Sequence, residues 1–140
     1  MKLSRAFTLI ELVFIIVVLG ILAAVAFPKI APIREDAEIA KGKGDVAAIR
    51  AGIVNERQTR LIRGDATWIT AANLDNANGL FGGVLTQGLT NSAVSGNWSA
   101  TAGSGTYLYW VGSTSTQFDY NATSGSFGCT SGTYCNQLTN

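Results

Sequence analysis

The chain has 140 residues, a formal net charge of +1 and no histidine. The length suits one small domain, and the near-zero charge argues against a basic footprint for nucleic acid. Without histidine, the chain lacks the commonest general base and the commonest metal ligand. Most charged residues lie between Lys29 and Asp65, and after Asp65 only Asp75 and Asp119 carry a charge.

The first predicted element is an apolar helix at the N-terminus. Residues from Ala6 to Pro28 are apolar or small, apart from Thr8 and Glu11. At a helical rise of about 1.5 Å per residue, this stretch is long enough to cross a bilayer core of roughly 30 Å. The remaining residues leave room for one soluble portion of modest size.

Two general interpretations fit this apolar stretch. A secretory signal peptide would be cut after Ala26, at the small residues Ala24-Val25-Ala26, and would release a soluble periplasmic binding protein with Phe27 as its first residue. A single-pass anchor would keep Lys2 and Arg5 in the cytoplasm. Neither interpretation accounts for Glu11, because a carboxylate within a membrane helix costs about a few kcal/mol unless it is paired.

The residues around Glu11 resemble the cleavage signature of type IV prepilins and type II secretion pseudopilins. The matching segment is Arg5-Ala6-Phe7-Thr8-Leu9-Ile10-Glu11-Leu12, and the likeness covers roughly residues 2–28. It implies that residues 1–6 are a leader peptide, which a prepilin peptidase removes by cutting between Ala6 and Phe7. It also implies that Phe7 becomes N-methylated. The family usually has glycine before the cut, so Ala6 is a small departure.

The resemblance also implies a partner for Glu11. Its carboxylate would pair with the amine of Phe7 on a neighbouring subunit, and residues 7–28 would form first a membrane span and then a filament core. Other implied partners are minor pilins or pseudopilins, the prepilin peptidase, an assembly ATPase and a platform protein. The chain would sit in the inner membrane with its sheet domain in the periplasm, and would then enter a pilus or pseudopilus, with exposure at the cell surface.

The shared N-terminal segment does not distinguish pili, secretion filaments and DNA-uptake filaments. The presence of Glu11 does separate this chain from the tip pseudopilin, which lacks the carboxylate. Pro28 ends the apolar run, and Pro32 follows four residues later. Proline tends to kink or break a helix. Pro28 is therefore predicted to curve or locally melt the helix, as the resemblance implies, or to be the point at which the membrane helix stops.

An amphipathic helix is predicted within residues 29–63. Ile39, Val46 and Ile53 recur every seven residues, and charges fill the other faces. The pattern predicts a helix over about residues 33–63 that ends at Gly64-Asp65. Further residues are expected to widen the apolar stripe or to weaken the helix: Ile49, Ala37, Ala40, Ala47 and Ala51 widen it, and Gly42, Gly44 and Gly52 weaken it.

Residues 64–140 are predicted to form a connector followed by a small antiparallel sheet, which gives an α+β fold class. The sheet would pack one face on the apolar stripe of the helix, with its aromatic residues in the core. Alternating aromatic and β-branched residues predict the strands. The predicted pieces are a short helical turn at residues 70–74, a hairpin of residues 106–111 and 116–120 with its turn at 112–115, and strands at 97–100, 83–86 and 126–129.

The only two cysteines, Cys129 and Cys135, are too few for a four-ligand zinc site in a chain without histidine. They are predicted to form a disulfide, which indicates an oxidising compartment and a C-terminal loop that is tied down. Asp75 and Asp119 are isolated carboxylates and give neither an acid–base pair nor a calcium site. The chain is therefore predicted to be no enzyme and to have no cofactor or metal. The major pseudopilins usually carry calcium here, which argues mildly against that subtype.

One short motif concerns modification. The segment Asp119-Tyr120-Asn121-Ala122-Thr123 fits the extended acceptor of bacterial N-glycosylation, and Asn97-Trp98-Ser99 fits the shorter general form. A chance match is the favoured explanation, and Asn121 is the residue at which glycosylation would occur.

Overall fold

The computed structural model describes residues 7–140, apart from the side chain of Ala31, so the predicted leader of residues 1–6 lies outside the described residues. The α+β fold is confirmed. The chain divides into two compact units, Met1–Arg34 and Glu35–Asn140. The elements are α1 (Leu9–Ile62), α2 (Ala71–Leu74), β1 (Trp98–Ala100), β2 (Thr106–Val111), β3 (Thr114–Asn121), β4 (Ser126–Ser131) and α3 (Cys135–Thr139).

Helix α1 contains both prolines, Pro28 and Pro32. The interpretation in which the helix ends at Pro28 is therefore wrong, and local melting does not occur there in this structure. The predicted stop at the other end is confirmed. Gly64 has a φ of 83°, and its N–H donates to the carbonyl of Leu61 at 3.0 Å, while the N–H of Asp65 donates to the carbonyl of Arg60 at 2.9 Å. This is the Schellman arrangement that glycine favours at a helix end.

The predicted apolar stripe is confirmed in part. Val46, Ile49 and Ile53 are at most 1% exposed, and Ile39 packs against the same core. The four alanines expected to widen the stripe, Ala37, Ala40, Ala47 and Ala51, are all exposed, so that part of the prediction is wrong. Glycines occupy the packed side instead, because the core comes too close for a side chain there.

Gly42 and Gly52 lie where the core meets the backbone of α1. A Cβ at Gly42 would overlap the ring of Tyr109 and the side chain of Leu138, and one at Gly52 would meet the carbonyl of Val84. A Cβ at Gly44 would meet nothing within 4 Å. Two of the three glycines expected only to weaken the helix therefore allow it to pack against the rest of its unit.

This contrast gives a matched pair of variants. Gly44→Ala is expected to raise the free energy of unfolding by up to about 1 kcal/mol, because alanine forms helix better than glycine. Gly42→Ala is expected to lower it by about 1–3 kcal/mol, because the added methyl group over-packs the core. Urea unfolding of the two variants measures both changes. Equal changes in the two variants would contradict the close approach at Gly42.

The sheet is antiparallel with the strand order β1-β2-β3-β4. The hairpin of β2 and β3 is confirmed, as are the strands predicted at residues 97–100 and 126–129. The hairpin turn is shorter than predicted, because Val111 pairs with Thr114 and leaves Gly112-Ser113 as its two central residues. Gly112 has a φ of 59°, as tight two-residue hairpins require.

The strand predicted at residues 83–86 is wrong. Its residues lie in turns, in which the N–H groups of Val84 and Leu85 both donate to the carbonyl of Phe81. Gly83 also lies against backbone, since a Cβ there would overlap the carbonyl of Asn73. The apolar residues of this segment pack against the core from a loop and not from a strand.

The sheet buries its aromatic residues on the face that meets α1, as predicted, with the exception of Trp110, which is half-buried and alternates with the core residues of β2. Trp98 is 1% exposed, and its ring centroid lies 4.9 Å from that of Tyr109 and 5.2 Å from that of Phe118. Phe81, from the connector, packs 4.2 Å from the ring of Tyr107. Aromatic rings thus supply the five largest of the fully buried side chains.

A buried carboxylate organises the connector. Asp75 is 9% exposed and accepts hydrogen bonds from the N–H of Phe81 at 2.9 Å, from the N–H of Gly103 at 3.1 Å and from the hydroxyl of Tyr107 at 3.1 Å. Among the described residues, Phe81 is the one non-glycine residue with a positive φ, which is 58°. Asp75 therefore joins the connector, the β1–β2 loop and strand β2 at one point.

The outer edge of β1 is closed by a side chain. The Nδ2 group of Asn91 donates to the carbonyl of Ala100 at 2.8 Å, and its Oδ1 accepts from the N–H of Ala100 at 3.2 Å. The N–H of Ser92 donates to the carbonyl of Trp98 at 2.8 Å. The residues before β1 thus satisfy backbone groups that an edge strand would otherwise offer to another strand.

The predicted disulfide is present. Cys129 and Cys135 are bonded, with their Cα atoms 5.5 Å apart. The bond ties the start of α3 to β4. Leu138 in α3 is 1% exposed and belongs to the core, so the C-terminal residues are held by a covalent link and by packing.

Candidate assembly segment

The N-terminal turn begins just after the predicted cleavage point. Phe7 and Thr8 precede helix α1, which starts at Leu9. The N–H of Glu11 donates to the side-chain Oγ1 of Thr8 at 3.3 Å and to its carbonyl at 3.1 Å. Thr8 is therefore the N-cap of α1 and Glu11 is its third helical residue, the spacing of a capping box.

Besides any pairing with a neighbouring subunit, this position stabilises the Glu11 carboxylate within its own helix. A carboxylate in the first turn of a helix interacts favourably with the positive end of the helix dipole. The side chain of Glu11 is exposed and borders the apolar residues Ile10, Val13 and Phe14. The helix start therefore presents a charge at the edge of an apolar surface.

The apolar surface that follows is unusually large for a chain in water. Every large hydrophobic residue from Phe7 to Ile30 is between 37% and 81% exposed. Soluble monomers rarely expose contiguous apolar patches above a few hundred Å², and larger ones mark membrane or protein contacts. An exposed apolar surface of this size indicates contact with a membrane or with another protein.

By length and composition, helix α1 qualifies as a membrane span in its apolar part, and none of that part is buried. A signal sequence near the N-terminus would satisfy the same criterion. The helix therefore fits both of the general interpretations of the sequence, and the choice between them depends on residues 5–12.

The predicted site residues fall in different places. Ala6, on one side of the predicted cut, lies outside the described residues, and Phe7 on the other side is 73% exposed. Pro28 lies within α1. Asn121 is exposed at the end of β3, where its Oδ1 accepts from the N–H of Thr123 at 2.8 Å. Glycosylation at Asn121, and the roles of Ala6, Phe7, Glu11 and Pro28, stay predictions.

Two residues have roles that the sequence predictions above do not include. Thr8 interrupts the apolar run and also gives the spacing Thr8-x-x-Glu11, which is a recognised helix-start signal. Asp75 is an isolated carboxylate in the sequence, and no local pattern indicates its three donors, which come from distant parts of the chain. Among residues 7–140, no group of three or more histidine, cysteine, aspartate or glutamate residues is placed to hold a metal ion.

Comparison with known proteins bears on the N-terminal part of the chain. Residues 1–27 match the family described as the prokaryotic N-terminal methylation motif. Over a stretch of 50 residues, the chain is 43% identical to the type II secretion system core protein G of Pseudomonas aeruginosa. This stretch makes up 36% of this chain and 35% of that protein. The chain thus spans about a third of the length of this curated relative, and no solved structure matches it. The chain carries the N-terminal methylation motif of the prepilin type and is related over this stretch to a type II secretion pseudopilin.

Proposed function

We propose that this chain is a structural subunit of a type IV pilus-like or type II secretion filament. A prepilin peptidase would cut between Ala6 and Phe7, and Phe7 would be N-methylated. The single observation that carries this proposal is the methylation motif at residues 1–27, which contains the exposed apolar start of helix α1. The soluble periplasmic binding protein, cut after Ala26, remains the alternative.

The exposed apolar surface of the helix suits two successive environments, first lipid and then other subunits. Before assembly, lipid covers the surface of residues 7–28, with the chain in the inner membrane and its sheet unit in the periplasm. After assembly, the same surface is covered by other copies of the chain and by minor subunits. A platform protein and an assembly ATPase would move the subunit from the first environment to the second. An interface formed this way needs no catalytic group, which agrees with a structural role.

Glu11 supports the proposal through its charge. In a filament core without water, its carboxylate would pair with the N-terminal amine of Phe7 on a neighbouring subunit, and this pairing would set axial register. Charged groups interact more strongly there than in water. Because Thr8 and Glu11 define the first helical turn, the carboxylate would be held at a fixed height near the amine-bearing end of the helix.

The choice between a pilus and a secretion filament depends on the relative and not on the methylation motif. The curated relative is a core protein of a type II secretion system, so a secretion filament is the first version of the proposal to test. The aligned stretch covers about a third of this chain. Deletion of the gene, followed by separate measurement of secreted protein and of surface pili, would distinguish the two versions.

Processing can be tested by the intact mass and N-terminal sequence of the mature protein. We expect N-methylated Phe7 as the first residue. Ala6→Leu should block processing and keep Met1, because the residue before the cut must be small. Ala26→Leu is the matched control: it should leave the mature N-terminus at Phe7, whereas it would block a signal peptidase acting after Ala26. Phe27 as the first residue of the unaltered protein would overturn the proposal.

A further inference from the structure

The face of the sheet that points away from the aromatic core carries a groove. Its volume is about 440 Å³, within the range of small-ligand sites. The groove is lined by two apolar side chains, Ala100 and Leu108, and by the polar side chains Ser99, Thr101, Ser104, Thr106 and Gln117. None of these residues takes part in the proposed assembly segment.

Two polar groups of the groove are held in fixed orientations. The Nε2 group of Gln117 donates to both carboxylate oxygens of Asp119 at 3.2 Å, which turns its Oε1 away and leaves it without a partner among residues 7–140. The Nε1 group of Trp110 donates to the Oγ of Ser99 at 2.8 Å, so the hydroxyl proton of Ser99 is still available. The groove thus offers an oriented acceptor and an oriented donor.

The strand register places these groups on either side of an apolar residue. Ser99 in β1 pairs with Leu108 in β2, which pairs with Gln117 in β3. Neighbouring strands lie about 4.8 Å apart, so the donor and the acceptor are about 10 Å apart with Leu108 between them. The Trp110 indole borders the same area through its bond to Ser99. A ligand that satisfies both polar groups must cross this apolar strip.

The charge of residues 66–140 restricts the ligand further. Residues 66–140 contain no lysine or arginine, so the face has no cation for an anionic polymer. Hydrogen bonds from Thr130, Thr106 and Gln117 hold the pKa of Asp119 below its usual value, and this carboxylate therefore stays ionised and already has its donors. A neutral ligand with many hydrogen-bonding groups matches this surface.

We propose that this groove binds a neutral saccharide of at least two sugar units. The apolar faces of the sugar rings would lie on Leu108 and Trp110, and hydroxyl groups would donate to the Oε1 of Gln117 and accept from Ser99. A hydroxyl group both donates and accepts, so a saccharide can match either partner. An extended peptide would instead seek backbone partners at a sheet edge, and Asn91 occupies the edge of β1 next to this groove.

The test uses the full chain in dodecylphosphocholine micelles, whose head group contains no sugar. Cellobiose, maltose, lactose and N,N′-diacetylchitobiose are titrated while the indole signal of Trp110 and the side-chain amide signals of Gln117 are followed by ¹H–¹⁵N NMR. We expect at least one of these sugars to cause saturable shifts of both groups. Gln117→Met should weaken that binding by about 3- to 10-fold, the effect of losing one neutral hydrogen bond. Thr101→Val, a change in an exposed loop, should weaken the binding of that sugar by less than Gln117→Met does.

Gln58→Met is the matched control, because Gln58 is exposed on helix α1, and it should leave the affinity unchanged. A dispersed NMR spectrum shows that each variant is folded. The proposal is overturned if none of the four sugars gives a saturable shift, if Gln117→Met and Gln58→Met bind equally well, or if a polyglycine peptide or polyglutamate shifts these signals while the sugars do not. Because the readout is binding by the single chain, it is independent of whether filaments form.

Discussion

Replacing Asp75 with alanine is expected to lower the free energy of unfolding by about 3 kcal/mol or more. The substitution would remove the acceptor of the Phe81 and Gly103 N–H groups and of the Tyr107 hydroxyl. Each buried donor left without a partner costs about 1–3 kcal/mol. Burial and the neighbouring carboxylate of Asp75 raise the pKa of Tyr107 well above its usual value, so its hydroxyl stays protonated and remains a donor that needs an acceptor.

Urea unfolding followed by tryptophan fluorescence measures this change. Asp119→Ala is the matched control, because Asp119 is the other acidic side chain of residues 66–140 and its partners include the exposed hydroxyl of Thr130. We expect a loss below about 1 kcal/mol for that variant, since water can replace the lost acceptor. Equal losses for the two variants would show that Asp75 does not organise the connector.

Removing the charge of Glu11 is expected to abolish filament assembly while processing and membrane insertion stay intact. Leaving one partner of a buried ion pair alone costs about 3–5 kcal/mol, which corresponds to a hundredfold or greater loss in association between subunits. The yield of sheared filaments, compared with the amount of processed subunit in the membrane, measures this loss. Glu11→Ala tests the residue, and Glu11→Gln tests its charge.

The two Glu11 variants separate charge from helix capping. Glutamine serves as well as glutamate at the third position of a capping box, so Glu11→Gln keeps the helix start and loses only the charge. Thr8→Ala is the reverse control: it removes the side-chain cap seen at 3.3 Å from the Glu11 N–H and keeps the charge. Normal filament yield from processed Glu11→Gln would refute the pairing of Glu11 with Phe7.

Much of the fold could be predicted because its signals are local. The seven-residue repeat of Ile39, Val46 and Ile53 indicates the packed side of α1, and Gly64 marks its end. The alternation from Thr106 to Val111 reflects the two faces of a strand. These patterns depend on backbone geometry within one element, and the described residues confirm them.

The errors have a different origin. The alanines predicted to lie on the packed side are exposed, and Gly42 lies against Tyr109 and Leu138 instead, two residues that are distant from it in the sequence. Residues 83–86 have the composition of a strand, yet the connector needs turns there to bring Phe81 into the core. The role of Asp75 depends on donors as distant in sequence as Tyr107. Local patterns carry no information about such contacts.

The candidate site was predicted from the order of residues 5–12, and the comparison of residues 1–27 supports it. The apolar run and Glu11 are visible in the sequence because membrane segments tolerate few charges. The cap by Thr8 was also visible as a spacing. Pairing with a neighbouring subunit involves a second copy of the chain, and for that reason it belongs among the proposals.

If the chain assembles as proposed, the side-chain hydrogen bonds of Asn91 along β1 affect how neighbouring subunits can associate. Subunits crowded side by side would have every opportunity to join their sheets edge to edge, and such ladders would be hard to reverse. With the backbone of Ala100 already bonded to Asn91, that route of self-association is closed at β1. In the proposed filament, subunits would then associate through the exposed apolar helix, with no exchange of strand partners at β1.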